Sequence, residues 1–169
     1  MRNLFIAIAG PPCSGKSTSG AILAKLLSLD FAETDDLIEK SSERSIGWIF
    51  SNLGEKVFRA REKNAVEKIL SGNGCVVALG GGTLLDRDTR NLVESRCRIF
   101  TLWAPLETLV ARNTGGRPLA ATESMFRQLL CHREEHYASL PGRLCTQGMT
   151  PEEVAIAMAR ILRKEDPAP

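Results

Sequence analysis

The sequence predicts an α/β fold, a three-layer sandwich in which a parallel sheet is covered by helices on both faces. Three observations predict it. Short apolar runs alternate with helical patterns along the chain, the signature of strands joined by crossover helices. The first run breaks into Gly10-Pro11-Pro12 and passes directly into a helical stretch. Finally, 169 residues with 43% hydrophobic and 25% charged content suit one domain, residues 1–169, large enough to bury such a sheet.

Each element has a local reason. Asn3 to Ala9 is a short apolar run closed by turn residues, hence a buried strand. Lys16 to Leu27 reads as a helix with Ile22, Leu23, Leu26 and Leu27 on one stripe. A short strand near Phe31 follows, then a helix from about Asp35 with Thr34 placed as its cap. Ser45 to Asn52 and Glu55 to Leu70 read as helices, the second turning Phe58, Val66, Ile69 and Leu70 inward. Cys75 to Leu79 and Arg98 to Leu102 read as strands, the first ending in Gly80-Gly81-Gly82. Ala104 to Arg112 is a helix with Pro105 at its favoured first position. Asn113 to Ala121 is a loop, and a long helix then runs to about Tyr137. After a strand near Arg143 to Thr146, Thr150, Pro151 and Glu153 spell a capping box and open the last helix.

Composition excludes several classes. With 22 basic against 20 acidic residues, no global field draws the chain to nucleic acid or to an anionic membrane. The apolar runs are far shorter than a membrane span, and Leu4 to Ala9 is too short for a signal-peptide core. Five cysteines, odd in number and without C-x-x-C spacing, point to reduced thiols in a cytoplasmic protein rather than to a disulfide framework or a zinc site.

In parallel sheets the ligand sits at the carboxyl ends of the strands, so the residues after each strand carry the function. After the first come Gly10-Pro11-Pro12-Cys13-Ser14-Gly15-Lys16-Ser17, a full match to G-x-x-x-x-G-K-[ST] between strand and helix. This is a P-loop. Gly10 and Gly15 let the backbone curl so that N–H groups face a phosphate at a helix N-terminus. Lys16 would reach the β- and γ-phosphates of ATP, and the Ser17 hydroxyl would be a Mg²⁺ ligand. Cys13, Ser14 and Thr18 complete the nucleotide-binding stretch. A redox role for the Cys13 thiol weighs less than that of a small filler.

Past the second strand lies Glu33-Thr34-Asp35-Asp36. One acid near the phosphates could hold Mg²⁺ through water, and another could orient an acceptor hydroxyl and take its proton. Asp36 and Glu39 are assigned to the helix macrodipole. Arg59 stands four residues after Glu55 and three before Glu62, so the acids can aim its guanidinium. An aimed Arg suits bidentate recognition of a carboxylate, although an ordinary solvated ion pair has the same spacing. Arg133 falls on the stripe of Phe126, Leu130 and Tyr137, where a charge needs a partner. The triple glycine permits close backbone approach to a ligand. Arg112 and Arg117 flank a loop that reads as a lid over the transferring phosphate.

The ordered set resembles the shikimate kinase family from about Leu4 to Leu162: the P-loop, Glu33-Thr34-Asp35, Gly54-Glu55 with Phe58-Arg59 and Glu62, Leu79 to Gly82, Arg117-Pro118-Leu119, and Arg133 with Tyr137. The triple glycine, the Phe-Arg pair and the Arg-Pro-Leu lid make the match specific. The resemblance implies a nucleoside-monophosphate-kinase-like fold: a five-stranded parallel sheet, substrate-binding helices at about 35–62 and a small lid at about 112–122. It implies MgATP-dependent phosphorylation of the shikimate 3-hydroxyl in aromatic amino-acid biosynthesis, by a cytoplasmic monomer.

By motif, Lys16, Asp35 and Arg117 are the catalytic set, with Asp35 on the ring hydroxyls and Arg117 at the transferred phosphate. Arg59 and Arg133 pair with the shikimate carboxylate, Gly80, Gly81 and Gly82 line the acceptor pocket, and Phe50 and Phe58 pack on the ring. Pro118 and Leu119 close over it, Arg112 lies near the adenine, and Ser17 and Glu33 serve the metal. Three departures stand out. Glu33 replaces the family's usual Asp, Arg112 to Arg117 is a shorter spacing than is common, and the lid ends Pro118-Leu119-Ala120 without a second Leu. Alternatives are a kinase of another acceptor, such as gluconate or a nucleoside monophosphate, and a nucleotide-binding relative without catalysis.

Overall fold

A computed structural model describes residues 4–113 and 122–165. Five strands form one sheet: β1 (Phe5–Ala9), β2 (Asp30–Glu33), β3 (Cys75–Ala78), β4 (Cys97–Trp103) and β5 (Arg143–Cys145). Their order is β2-β3-β1-β4-β5, and every pairing is parallel. The central strand, β1, is buried along its whole length. Its alternation feeds two cores. Phe5, Ala7 and Ala9 face a layer containing Val66, Leu70 and Val93, whereas Ile6 and Ile8 face Leu23, Val154, Ala155 and Met158. A strand covered on both sides has no reason to alternate apolar with polar residues, which is why FIAIA reads as a continuous run.

The helices are α1 (Lys16–Leu27), α2 (Thr34–Ser42), α3 (Ile46–Leu70), α4 (Arg87–Arg96), α5 (Leu106–Ala111), α6 (Glu123–His132), α7 (Glu134–Ala138) and α8 (Pro151–Glu165), with a 3₁₀ turn at Thr83–Leu85. The helices α1 and α8 cover one face, and α3 and α4 cover the other. The connections leaving β1 and β3 therefore run on opposite faces, which opens a crevice between these two adjacent strands at their carboxyl ends. Among the described residues, no helix is long and apolar enough to cross a membrane.

Several local expectations change. On α1, Leu23 is fully buried but Leu26 is 49% exposed, because Ser19, Gly20 and Ala24 turn toward the core instead. Thr34 is not a cap: Glu33 precedes the first turn without a side-chain cap, and the buried Thr34 hydroxyl accepts the Gly80 N–H at 2.8 Å. Glu39 does more than meet the macrodipole, since it accepts the Ile46 N–H at 2.8 Å and ties α2 to the start of α3. The two expected helices before Leu70 are joined through α3, with the break at Gly54 (φ 80°). Pro105 stands just before α5 rather than in its first turn. The long helix expected to reach Tyr137 breaks at Arg133 (φ −108°, ψ 5°) into α6 and α7.

The helix α4 was not expected from the sequence. Among its few apolar residues Val93 is buried and Leu92 half-buried, and Asp86 starts it by accepting the Thr89 N–H at 2.8 Å.

The capping box of α8 forms as read. Glu153 N–H donates to Thr150 Oγ1 at 3.2 Å, and Thr150 N–H donates to Glu153 at 2.8 Å. Because α8 carries Val154, Ala155 and Met158 into the core, loosening its first turn weakens the whole layer. Thr150→Ala is expected to cost about 1 kcal/mol, seen as a fall of about 2–4 °C in Tm with turnover unchanged. An unchanged Tm would show that water replaces the cap.

Candidate active site

A cleft of about 350 Å³ opens at the carboxyl ends of β1, β2 and β3. Cys13, Gly15, Lys16, Ser17, Thr18, Glu33, Asp35, Gly80, Gly81 and Arg112 line it, so residues from four separate segments meet there. Gly10 (φ 133°) and Gly15 (φ 93°) take backbone conformations closed to most side chains. A Cβ on Gly10 would lie 2.1 Å from the Leu102 carbonyl oxygen of β4, so the loop's first residue is fixed by its contact with the neighbouring strand. Lys16 Nζ donates to the Pro11 carbonyl at 2.9 Å, folding the side chain back over the loop. Ser14 Oγ is buried with no hydrogen-bond partner among the described residues. Cys13 packs beside the cluster of Ala104, Leu109, Phe126 and Leu130, as a filler would.

At the mouth of the P-loop the Ser17 hydroxyl donates to the Glu33 carboxylate. Glu33, one methylene longer than Asp, spans from the end of β2 to the start of α1. Two hard oxygen donors beside a phosphate loop suit Mg²⁺, which commonly takes one or two protein oxygens and completes its shell with water and substrate phosphate.

Asp35 is the most perturbed acid of the cleft, its pKa pushed up to about 6. Burial is the main cause, Glu62 adds to it, and the Lys16 ammonium pulls the other way. Its Oδ1 is buried with no hydrogen-bond partner among the described residues. A buried carboxylate oxygen beside the phosphate loop is a strong acceptor, fit to take a proton or a hydroxyl donor.

Behind Asp35 lies a network whose depth the sequence does not disclose. Glu62 is 2% exposed. It accepts from Arg59 and, at 2.8 Å, from Thr83 Oγ1. Arg59 is also held by Glu55 at 2.9 and 3.2 Å. Burial opposes the charge on Arg59, but Glu62 and Glu55 outweigh it and raise its pKa above the ordinary value. The guanidinium lies 5.4 Å from the Phe58 ring, which packs against Phe50 at 4.5 Å between centroids. Phe58 is buried and Phe50 half-buried.

The triple glycine is explained by these same side chains. A Cβ on Gly80 would lie 2.8 Å from both Asp35 Oδ1 and Glu62 Oε1, and one on Gly82 would lie 2.6 Å from Arg59. Gly80 and Gly82 are small because Asp35, Glu62 and Arg59 already press on the backbone.

The charges of both Arg133 and Arg59 act on the Tyr137 phenol. Tyr137 in turn donates to the Gly81 carbonyl at 2.7 Å. The two arginines are thus gathered around the Gly80–Gly82 turn from different ends of the chain. Arg112 donates twice to Thr146, at 2.7 and 3.0 Å, which ties the edge of the cleft to the end of β5. Arg117, Pro118 and Leu119 lie outside the described residues.

Sequence reasoning missed Thr34, Thr83 and Thr146 as supports of the site. Their signal was position: each immediately follows a strand or the glycine turn, where side chains point at the crevice. The model of the shikimate kinase family matches residues 12–163. A shikimate kinase of Francisella philomiragia is 37% identical over 97% of this chain and 96% of its own length. Among solved structures, the shikimate kinase of Acinetobacter baumannii in complex with shikimate superposes with a TM-score of 0.89 at 27% identity, covering 98% of this chain and 96% of that one. The enzyme of Aquifex aeolicus gives 0.84 at 26%, covering 97% and 99%. With the P-loop and the glycine turn set on that sheet, and the family model matching most of its length, the chain belongs to the shikimate kinase family.

Proposed function

We propose that this protein transfers the γ-phosphoryl group of ATP to the 3-hydroxyl of shikimate, with the P-loop holding the nucleotide and the pocket between α2, α3, the Gly80–Gly82 turn and Arg133 holding the acceptor. The observation that carries this reading is the single cleft in which Lys16 of the phosphate loop faces Asp35, an acid with a bare buried oxygen.

The chemistry follows from the positions. Backbone N–H groups from Cys13 to Thr18 and the Lys16 ammonium gather the phosphates at the start of α1. Ser17 and Glu33 would hold Mg²⁺, which neutralises charge on the phosphates when bound. Arg59, aimed by Glu55 and Glu62, and Arg133 form a cationic seat for the substrate carboxylate. Phe50 and Phe58 supply the apolar wall beside it. With its ring so placed, shikimate turns its hydroxyls toward Asp35. The 3-hydroxyl oxygen attacks the γ-phosphorus, the bond to the bridging oxygen breaks, ADP leaves, and the hydroxyl proton passes to Asp35. An acid with a pKa near 6 is mostly ionised at pH 7 yet still basic enough to accept it. Arg112, anchored on Thr146, borders the adenine side, and Arg117, with Pro118 and Leu119, would close over the transferred group. Five cysteines, odd in number and without C-x-x-C spacing, agree with a cytoplasmic setting, and a cleft built from segments of one chain supports a monomer.

The glycine turn gives a test separate from the nucleotide. Gly82→Ala drives a methyl into the Arg59 guanidinium and is expected to raise the shikimate KM at least roughly tenfold, with the ATP KM unchanged. Equal KM values for shikimate in variant and parent would remove Arg59 from the acceptor pocket. For the reaction itself, ADP release from MgATP is measured with shikimate, quinate, gluconate and AMP. Release with shikimate alone is the expected result. Release only with another acceptor keeps the kinase and overturns the substrate, and no release with any acceptor leaves a nucleotide binder without catalysis.

A further inference from the structure

The reaction as described makes no use of the Tyr137 hydroxyl, which lies against the glycine turn. It is the chain's single tyrosine. Its ring is buried in the cluster of Leu79, Leu84 and Leu140. Buried hydroxyls find partners, and those of Tyr137 all belong to the site. The phenol donates to the Gly81 carbonyl at 2.7 Å, and the nearby Arg133 guanidinium acts on its oxygen. Burial pushes its pKa up, more strongly than Arg133 and Arg59 pull it down, so it is a neutral phenol. A neutral phenol has one proton to give. Because that proton goes to Gly81, the phenol oxygen can meet Arg133 only as an acceptor.

The backbone enforces the same geometry. The helix breaks at Arg133, and Tyr137 N–H then donates to the Arg133 carbonyl at 3.0 Å. The single turn α7 therefore holds the arginine and the phenol at a fixed separation.

We propose that Tyr137 is a positioning residue for substrate recognition: its hydroxyl locks the Gly81 carbonyl on one side and aims the Arg133 guanidinium, beside Arg59, at the substrate carboxylate on the other. This rests on the reading that the two arginines meet that carboxylate. The competing role is structural, with the tyrosine merely holding α7 against the sheet.

Tyr137→Phe separates the two, since it keeps the ring in its apolar cluster and removes only the hydroxyl. The expected result is a roughly tenfold rise in both the shikimate KM and the shikimate Kd measured without nucleotide, with kcat within about twofold and the ATP KM unchanged. For the carboxamide analogue of shikimate, which lacks the anion, the same substitution is expected to change Kd much less. A lower Tm with unaltered shikimate constants would overturn the proposal in favour of the structural role. Should Tyr137→Phe fail to fold, incorporation of 3-fluorotyrosine places a single ¹⁹F reporter at this position in an otherwise unaltered chain. Its resonance is expected to shift on titration with shikimate alone, and a resonance unmoved at saturation would overturn the proposal. Arg59→Ala distinguishes the failures. If it leaves shikimate binding intact, the carboxylate reading falls and this proposal with it. If it abolishes binding while Tyr137→Phe does nothing, only the role of Tyr137 falls.

Discussion

Arg59→Ala is expected to raise the shikimate KM by roughly 100-fold, the scale of losing a partly desolvated, charge-assisted contact to a carboxylate. The ATP KM is expected to stay within about twofold, since Arg59 does not line the phosphate loop. The substitution has a second consequence. Glu62, 2% exposed, would keep only Thr83 as a hydrogen-bond partner among the described residues while facing the neighbouring charge of Asp35. Removing one member of a buried pair leaves an uncompensated charge and costs about 3 kcal/mol or more. The variant should therefore melt earlier as well as bind poorly. Arg59→Lys keeps a positive charge near Glu62 but loses the planar fork. It should recover most of the Tm and little of the affinity. If Arg59→Ala is folded and its shikimate KM is unchanged, the carboxylate seat is assigned to the wrong residue.

Asp35→Asn is expected to lower kcat by about 10²–10⁴-fold, the range for loss of a positioned base, while making the fold more stable at pH 7. The stability gain follows from the direction of the pKa shift. Asp35 is raised from 3.8 in the unfolded chain to about 6 in the folded one, so between those values the folded state holds the proton more tightly. Wild-type stability therefore falls as pH rises from about 4 to about 6, and the ionised carboxylate costs roughly 2–3 kcal/mol above that window. Asn carries no charge and should flatten that part of the curve. Turnover runs the opposite way. The base must be ionised, so wild-type kcat/KM should drop on acidification with a midpoint near pH 6. Retained turnover in Asp35→Asn would make this carboxylate a bystander. Loss of activity together with loss of stability at pH 7 would show that its charge is compensated within the fold.

Comparing the residues shows what kind of information the sequence carried. The bounds of α1 and the capping box of α8 were legible because both are local: a glycine and lysine after a strand, or a threonine, a proline and a glutamate in register. The helix α4 was not, because its few apolar residues make no stripe and its stability comes from Asp86 at one end and from packing on α3 and the sheet at the other. Thr34 was read as a cap because threonine before acids ordinarily is one. Its hydroxyl went instead to Gly80, forty-six positions away, and no local rule weighs a partner at that distance. Leu26 was assigned inward by periodicity, but small residues at Ser19 and Gly20 let α1 roll closer to the sheet on a different face.

The site divides along the same line. The phosphate loop and the spacing of Glu55, Arg59 and Glu62 could be read directly. That Glu62 is buried, that it raises Asp35, and that glycines are needed to clear Asp35 and Arg59 depend on three strand ends converging. Arg133 was singled out as a charge on an apolar stripe, yet the helix break at that residue leaves no mark in the sequence.

The most direct test of the account is the identity of the product. Purified protein is incubated with MgATP and shikimate, and the product is examined by ³¹P and ¹H NMR. A single phosphate ester on the 3-hydroxyl, formed together with ADP in equal amount, is the predicted result. A phosphate on another hydroxyl would contradict the placement of Asp35 in the cleft, and ADP without any ester would contradict the transfer itself.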